Sequence, residues 1–264
     1  MWLHTVVNYQ YRYGTRAIPT IRLMFREGGV ARFYRGLGPA VLAAPLSRFG
    51  DTMCNSVVLS VVNSRKGREP GSTGGVPVGL ATFLGSVGAA GWRAFLMPLD
   101  TVKVSMQVGG KDGLLVLRRK VAANGPLVLY HGAGACVVGS VVGHYPWFLT
   151  YNTLQRRLPR VVAGGGGPGA RRYARARDGF IGFLASVSSS VVSNAFRVLK
   201  VYRQSHSDSV SYSKAASQIM AKEKDGGGGP RGLAGLVGRG LGTRIALNGL
   251  QGLLFSVVWA ELSR

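Results

Sequence analysis

The chain has 264 residues, of which 46% are hydrophobic and only 16% charged, with a formal net charge of +23 at pH 7. So little charge with a positive mean hydropathy argues against one or two ordinary soluble domains and for several membrane spans. The basic residues gather between apolar stretches, as in Arg65-Lys66-Gly67-Arg68 and Arg171-Arg172-Tyr173-Ala174-Arg175-Ala176-Arg177, which fits anionic lipid head groups rather than a nucleic-acid groove. Both sets of connecting segments are basic, so charge does not set an orientation. Cys54 and Cys136 lie in apolar runs, so no disulfide framework is expected. No His/Cys/Asp/Glu group has metal-ligand spacing and no nucleophile stands near a base, so neither an enzyme nor a bound metal or cofactor is expected. The opening Met1-Trp2-Leu3-His4 lacks the basic start and apolar core of a secretory signal.

Charge-poor runs near residues 38–64, 71–97, 132–154, 179–196 and 240–260 each approach the roughly 20 residues that cross a hydrocarbon core. Arg48, Asp51, Arg93, His144 and Arg244 sit inside such runs, where an ionisable group is costly unless it faces a bundle interior or a water-filled cavity. Ahead of the first run, Ile18, Ile21, Met24 and Phe25 recur at helical spacing opposite Arg22 and Arg26, the pattern of a helix lying on a membrane surface. Glu27-Gly28-Gly29 and then Tyr34-Arg35-Gly36 follow, and after the run comes a basic, Gly-containing linker at 64–75. The second run passes through Pro98 into Asp100, Lys103 and Gln107. A proline inside a helix bends it, and Asp100 and Lys103 share a face just past that bend. Leu114, Leu117 and Val121 opposite Arg118 and Arg119 form the next surface helix, then Asn124-Gly125 and Tyr130-His131-Gly132 precede the third run. A second basic, Gly-rich linker is expected at 155–177. The last part repeats the order with Lys200 and Gln204, a helix through Tyr212, Ala216, Ile219 and Met220, and Arg239-Gly240 beyond a glycine-rich insertion.

This order is a threefold repeat, approximately 1–70, 71–170 and 171–264, with Gln10, Gln107 and Gln204 equally spaced at about a hundred residues. The proline, acid and base slots hold Met1, Leu3 and Val6 in the first copy, Pro98, Asp100 and Lys103 in the second, and Ala195, Arg197 and Lys200 in the third. The glycines of the second marker supply backbone freedom and exposed N–H groups that suit an anion.

With these motifs in register over nearly its full length, the chain resembles the mitochondrial carrier family. The resemblance implies an all-α membrane protein of the mitochondrial-carrier fold: three pseudo-symmetric repeats, each of two transmembrane helices and a short surface helix. It implies a multi-pass, monomeric carrier of the mitochondrial inner membrane that moves a small metabolite by alternating access and holds cardiolipin at helix N-termini. The residues placed at the lipid are Gly29, Arg35, Gly36, Gly125, Gly132, Arg239 and Gly240. A matrix gate would comprise Pro98, Asp100, Lys103, Gln107, Arg197, Lys200, Gln204 and Gln10, and a cytoplasmic gate Tyr151, Asn152 and Gln155. Substrate contacts, two to three turns into the even-numbered helices, would fall on Ser47, Arg48, Asp51, Ser140, His144, Arg244, Asn248 and Gln251. Basic groups outnumber acids in that set, which favours an anionic or zwitterionic metabolite.

Two departures from the family pattern bear on mechanism. Acids are missing at Leu3 and Arg197 and a base at Val6, and helix four offers amides, Asn152 and Gln155, where charges are expected; Glu261 near Trp259 is one place off register. The gates would then close by hydrogen bonds and packing more than by charge. The first copy also begins at its proline slot, so a truncated first helix is expected. The alternative reading is a carrier-fold protein that has lost a half-helix and serves a structural or interaction role without transporting.

Overall fold

In the computed structural model, residues 1–64, 78–158, 168–225 and 232–262 are described. Eleven α-helices are found among them: α1 (Trp2–Tyr13), α2 (Ala17–Phe33), α3 (Leu37–Ser64), α4 (Val78–Phe95), α5 (Met97–Gly109), α6 (Gly113–Asn124), α7 (Ala133–Arg157), α8 (Pro168–Ser205), α9 (Tyr212–Asp225), α10 (Leu233–Gly238) and α11 (Leu241–Leu262). A short 3₁₀ segment, Pro126–Tyr130, leads into α7, and no strand occurs among the described residues. The described residues form an all-α fold.

Pro98 has the expected effect. The long helix of the second copy breaks at Leu96, and α5 starts with the proline in its first turn, where its missing N–H costs nothing. Prolines also lie inside the other long helices, Pro45 in α3 and Pro146 in α7. Glu27-Gly28-Gly29 produces a second kind of break: Gly29 has φ 57° and ψ −147°, so α2 bends there and its last turn heads toward α3.

The core lies where α1, α5 and α8 converge. Val7 and Tyr11, Val104 and Val108, and Val198 and Val201 form one buried cluster, and Ala215 and Ile219 of α9 close it from below. A satellite cluster seats α2 on α1 through Val6, Tyr9 and Met24. In contrast, Leu42 and Phe49 of α3 and Tyr145 and Leu149 of α7 are exposed, an arrangement suited to lipid. Among the described residues, two segments are long and apolar enough by themselves to cross a membrane, Pro126–Arg157 and Ala176–Ser205.

Two sequence expectations change. The linker expected at 155–177 is mostly helix: α7 runs to Arg157 and α8 starts at Pro168, because Arg177 reaches back to the main-chain oxygens of Gln155 and Leu158, both at 3.0 Å, and ties the two ends together. Most of the 64–75 linker lies outside the described residues. The surface helices bury only half of the face assigned to them. Met24 is inside but Ile18 and Phe25 are 65% and 59% exposed, Leu117 is inside but Leu114 is exposed, and in α9 it is Ala215, not Ala216, that is fully buried. A helix lying on a membrane has two apolar partners, protein beneath it and acyl chains beside it, so its apolar stripe is wider than its buried one.

The tightest contact between the long helices sets a testable limit on side-chain size. Trp92 of α4 donates its indole N–H to the Leu46 carbonyl of α3 at 2.8 Å, and a Cβ on Gly50 would be driven into that indole ring. Gly50→Ala is therefore expected to cost about 1–3 kcal/mol in thermal unfolding, by overpacking. Gly38→Ala, where a Cβ would meet nothing within 4 Å, serves as its control.

Candidate functional site

The second glycine marker explains how the three copies are clamped together. In each copy its last glycine has positive φ and lies against the long helix of the next. A Cβ on Gly36 would meet the Lys103 carbonyl oxygen at 3.0 Å, one on Gly132 the Lys200 carbonyl oxygen at 3.2 Å, and one on Gly240 the Tyr11 ring at 3.0 Å. Positive φ and close approach each favour glycine. Consequently α5, α8 and α1 are held with their charged slots facing a common centre.

At that centre one acid serves two bases. The Asp100 carboxylate pairs with Lys103 of its own helix at 2.5 Å and with Lys200 of α8 at 2.7 Å. Gln204 braces it from one turn further along α8: its amide N–H groups reach Asp100 Oδ2 at 3.4 Å, Thr101 Oγ1 at 3.0 Å and Met97 Sδ at 3.1 Å. The equivalent Gln107 has no ion pair to brace. Its Oε1 accepts from Asn8 at 2.6 Å, linking α1 to α5. Gln10 turns away and donates to the Thr15 carbonyl at 3.0 Å.

Above this network lies a cavity of about 690 Å³. Of the substrate-contact candidates, Ser47, Arg48, Ser140 and Arg244 line it, and so do Arg197 and three members of the Asp100 network. Among the described residues, six cationic side chains, Arg48, Arg93, Lys103, Arg197, Lys200 and Arg244, line it with one acid, Asp100. Arg197 stands in an acid slot and donates from Nε to Ser193 Oγ at 3.3 Å. The remaining candidates are elsewhere. Asn248 donates to Ser186 Oγ and Ser190 Oγ, both at 3.0 Å, and so joins α11 to α8. Gln251 lies 3.4 Å from His4 across the α1–α11 contact. His144 packs edge-on against Phe148. Asp51 belongs to α3, but its side chain, like those of Trp259 and Glu261, lies outside the described residues.

At the opposite end of α7, Gln155 accepts from Arg177 at 2.9 Å, donates toward the Tyr151 hydroxyl at 3.2 Å and meets Asp178 at 3.4 Å. The amide thus works as a donor and an acceptor where a charge would do only one. Asn152, beside it, is exposed.

The residues placed at the lipid separate into two groups. Gly36, Gly132 and Gly240 pack on neighbouring helices as described. Arg239 is 6% exposed and donates to the Ile219 carbonyl at 3.4 Å, with its guanidinium beside Gly14 at the end of α1. Arg35 is half-buried, next to Gly110 at the end of α5, and Gly29 and Gly125 face open space.

Sequence reasoning missed two buried cations. Arg32, 1% exposed, donates to the Gln107 and Val108 carbonyls at 2.8 and 3.0 Å and to Glu27 at 2.9 Å. Lys120 donates to the Arg203 and His206 carbonyls, both at 2.9 Å. Each crosses from one copy to the carbonyl end of the next copy's long helix, where the helix dipole favours positive charge. Among so many surface arginines and lysines, no local pattern marks these two.

The described helices thus surround a cavity whose lining is mostly cationic. Residues 75–161 match the family described as mitochondrial carrier protein. The chain is also similar to a mitochondrial citrate transporter D of Aspergillus niger, 22% identical over 185 residues that make up 68% of this chain and 57% of that protein. Both similarities point to the mitochondrial carrier family.

Proposed function

We propose that the protein carries a small anion across the mitochondrial inner membrane by alternating access, with the 690 Å³ cavity as its central binding site. The observation that carries this reading is the charge of the lining, six cations and one acid among the described residues. A field of one sign in a low-dielectric cleft concentrates the opposite charge, and guanidinium groups bind carboxylate or phosphate through paired charge-assisted bonds. The similarity to a citrate transporter supports an anion, and carboxylates fit the arginine donors. In this cycle the Asp100–Lys200 pair closes the end near the surface helices, and the Gln155–Arg177–Asp178 cluster helps close the other. Gly29, Gly125 and Arg35 are the positions best placed for an anionic lipid, cardiolipin in this membrane. Family members transport and do not catalyse, so no chemical step is assigned.

The test is uptake by the full chain in liposomes loaded with unlabelled anion. Labelled di- and tricarboxylates are expected to enter, and labelled lysine is not. Arg244→Gln should lower anion uptake about 10- to 100-fold, the loss of one or two bonds to a charged group. Equal uptake of lysine, or uptake indifferent to both Arg244→Gln and Arg197→Gln, would refute an anion site here. That one acid serves the whole ion-pair centre favours a second reading, a carrier fold retained for interaction alone. It predicts uptake no higher than in protein-free liposomes for every solute.

A further inference from the structure

One turn beyond Asp100 along α5 and α8, on the side away from the central cavity, lies a second pocket of about 270 Å³. It is walled by the carbonyl ends of the three long helices: Arg12 and Tyr13 of α1, Ser105 and Gly109 of α5, and Gln204 through Ser207 at the end of α8, with Lys120 of α6 across from them. No acid is among its lining residues. We propose that this pocket binds a small oxyanion, a phosphate or a carboxylate that also carries a hydroxyl, as a station distinct from the central cavity.

Three lining side chains point to a ligand. Ser105, 5% exposed, has a buried Oγ with no hydrogen-bond partner; Gln204, 2% exposed, uses both amide hydrogens on the Asp100 side but leaves Oε1 unpartnered; and Arg12 has a buried Nε with no partner. Such orphans are rare in a well-packed interior, and here all three share one pocket. Lys120 adds a fourth group. Two of its three N–H donors are taken by the Arg203 and His206 carbonyls, which leaves one. The set is therefore three donors, from Arg12, Ser105 and Lys120, and one acceptor, Gln204 Oε1. A hydroxyl-bearing oxyanion presents the reverse: several acceptor oxygens and one O–H.

The charged lining side chains Arg12 and Lys120 favour an anion, against the carbonyl ends of the helices, which by themselves favour a cation. The Arg12 guanidinium is held over the Tyr202 ring at 4.4 Å, which fixes it without neutralising it. Burial first, and then the charges of Arg203 and Arg12, push Lys120 down to about 8, while Asp208 works weakly in the opposite direction. An anion seated between Lys120 and Arg12 would relieve that repulsion. Gln204 forms the partition: its amide N–H groups hold Asp100, and the residue lines the pocket on its other side.

The same chemistry is offered by a free solute and by a phospholipid head group, and the experiment separates them. Binding of radiolabelled inorganic phosphate to the full-length chain in detergent is measured by equilibrium dialysis, which needs no transport and is independent of the carrier reading. A class of sites is expected whose affinity falls about tenfold with Ser105→Ala and with Arg12→Gln, and stays within about twofold with Arg244→Gln in the central cavity. Ser105→Ala removes one hydroxyl that bonds nothing in the protein, so its melting temperature should match that of the parent and its loss of binding is not a loss of fold. The measurement is repeated in nanodiscs of phosphatidylcholine with and without cardiolipin. Displacement of the Ser105-dependent phosphate by cardiolipin identifies a head-group site, and retention identifies a solute site. Phosphate affinity unchanged in both Ser105→Ala and Arg12→Gln overturns the proposal, as does the absence of any phosphate binding by the parent chain.

Discussion

Asp100→Asn is expected to destabilise the folded chain by about 3 kcal/mol, read as thermal unfolding in detergent. The carboxylate is the shared counter-charge of Lys103 and Lys200, and all three side chains are no more than 25% exposed. Removing the acid leaves two ammonium groups close together in a poorly solvated site, which costs more than the pair itself contributes. The cycle has a specific shape. Lys200→Gln alone should cost less, because Asp100 keeps Lys103, and Asp100→Asn should do less harm in a Lys200→Gln background, because one of the two stranded cations is gone. Additive losses, or a single Asp100→Asn within about 0.5 kcal/mol of the parent, would show that water and mobile ions already neutralise this centre.

The second large effect belongs to Arg32. Its guanidinium satisfies two carbonyls at the end of α5 and the Glu27 carboxylate, while the side chain is almost fully enclosed. Arg32→Ala strands two carbonyls, removes the dipole partner of α5 and opens a cavity, together about 3–5 kcal/mol. Arg32→Lys keeps the charge but cannot fork to three acceptors, so a loss of about 1–2 kcal/mol is expected. Hydrogen exchange offers the site-specific check: amides at the end of α5 should lose protection in Arg32→Ala, while those of α11 should not. If Arg32→Lys proves as damaging as Arg32→Ala, the packed shape of the guanidinium matters more than its charge.

The sequence was most informative where a feature acts locally or repeats. Pro98 marks the break in the second long helix, since its ring clashes with the preceding turn. The equal spacing of Gln10, Gln107 and Gln204 marked three positions at corresponding depths, and Gly36 and Gly132 follow nearly the same interval, with Gly240 displaced by the glycine-rich insertion. Counting turns into the even-numbered helices brought Ser47, Arg48, Ser140 and Arg244 to one cavity. It missed for Asn248, Gln251 and His144 because a shift of one residue rotates a side chain by about 100° around a helix, enough to carry it from the cavity to a neighbouring helix. The slot count showed one acid for the ion-pair centre but not that Asp100 would hold two lysines, nor that its three glutamines would take three different partners.

From sequence alone came the helical class, the threefold order, the break at Pro98 and the excess of positive charge in apolar runs, because each rests on composition, spacing or the covalent geometry of one residue. Only the tertiary structure decided which cations face the cavity, which of many basic residues are buried as helix caps, and that unpaired polar atoms of Arg12, Ser105 and Gln204 gather in one pocket. Those outcomes depend on how three helices from distant parts of the chain are rotated about their axes, and that rotation is set by close packing at Gly36, Gly132 and Gly240 rather than by any pattern along a single helix.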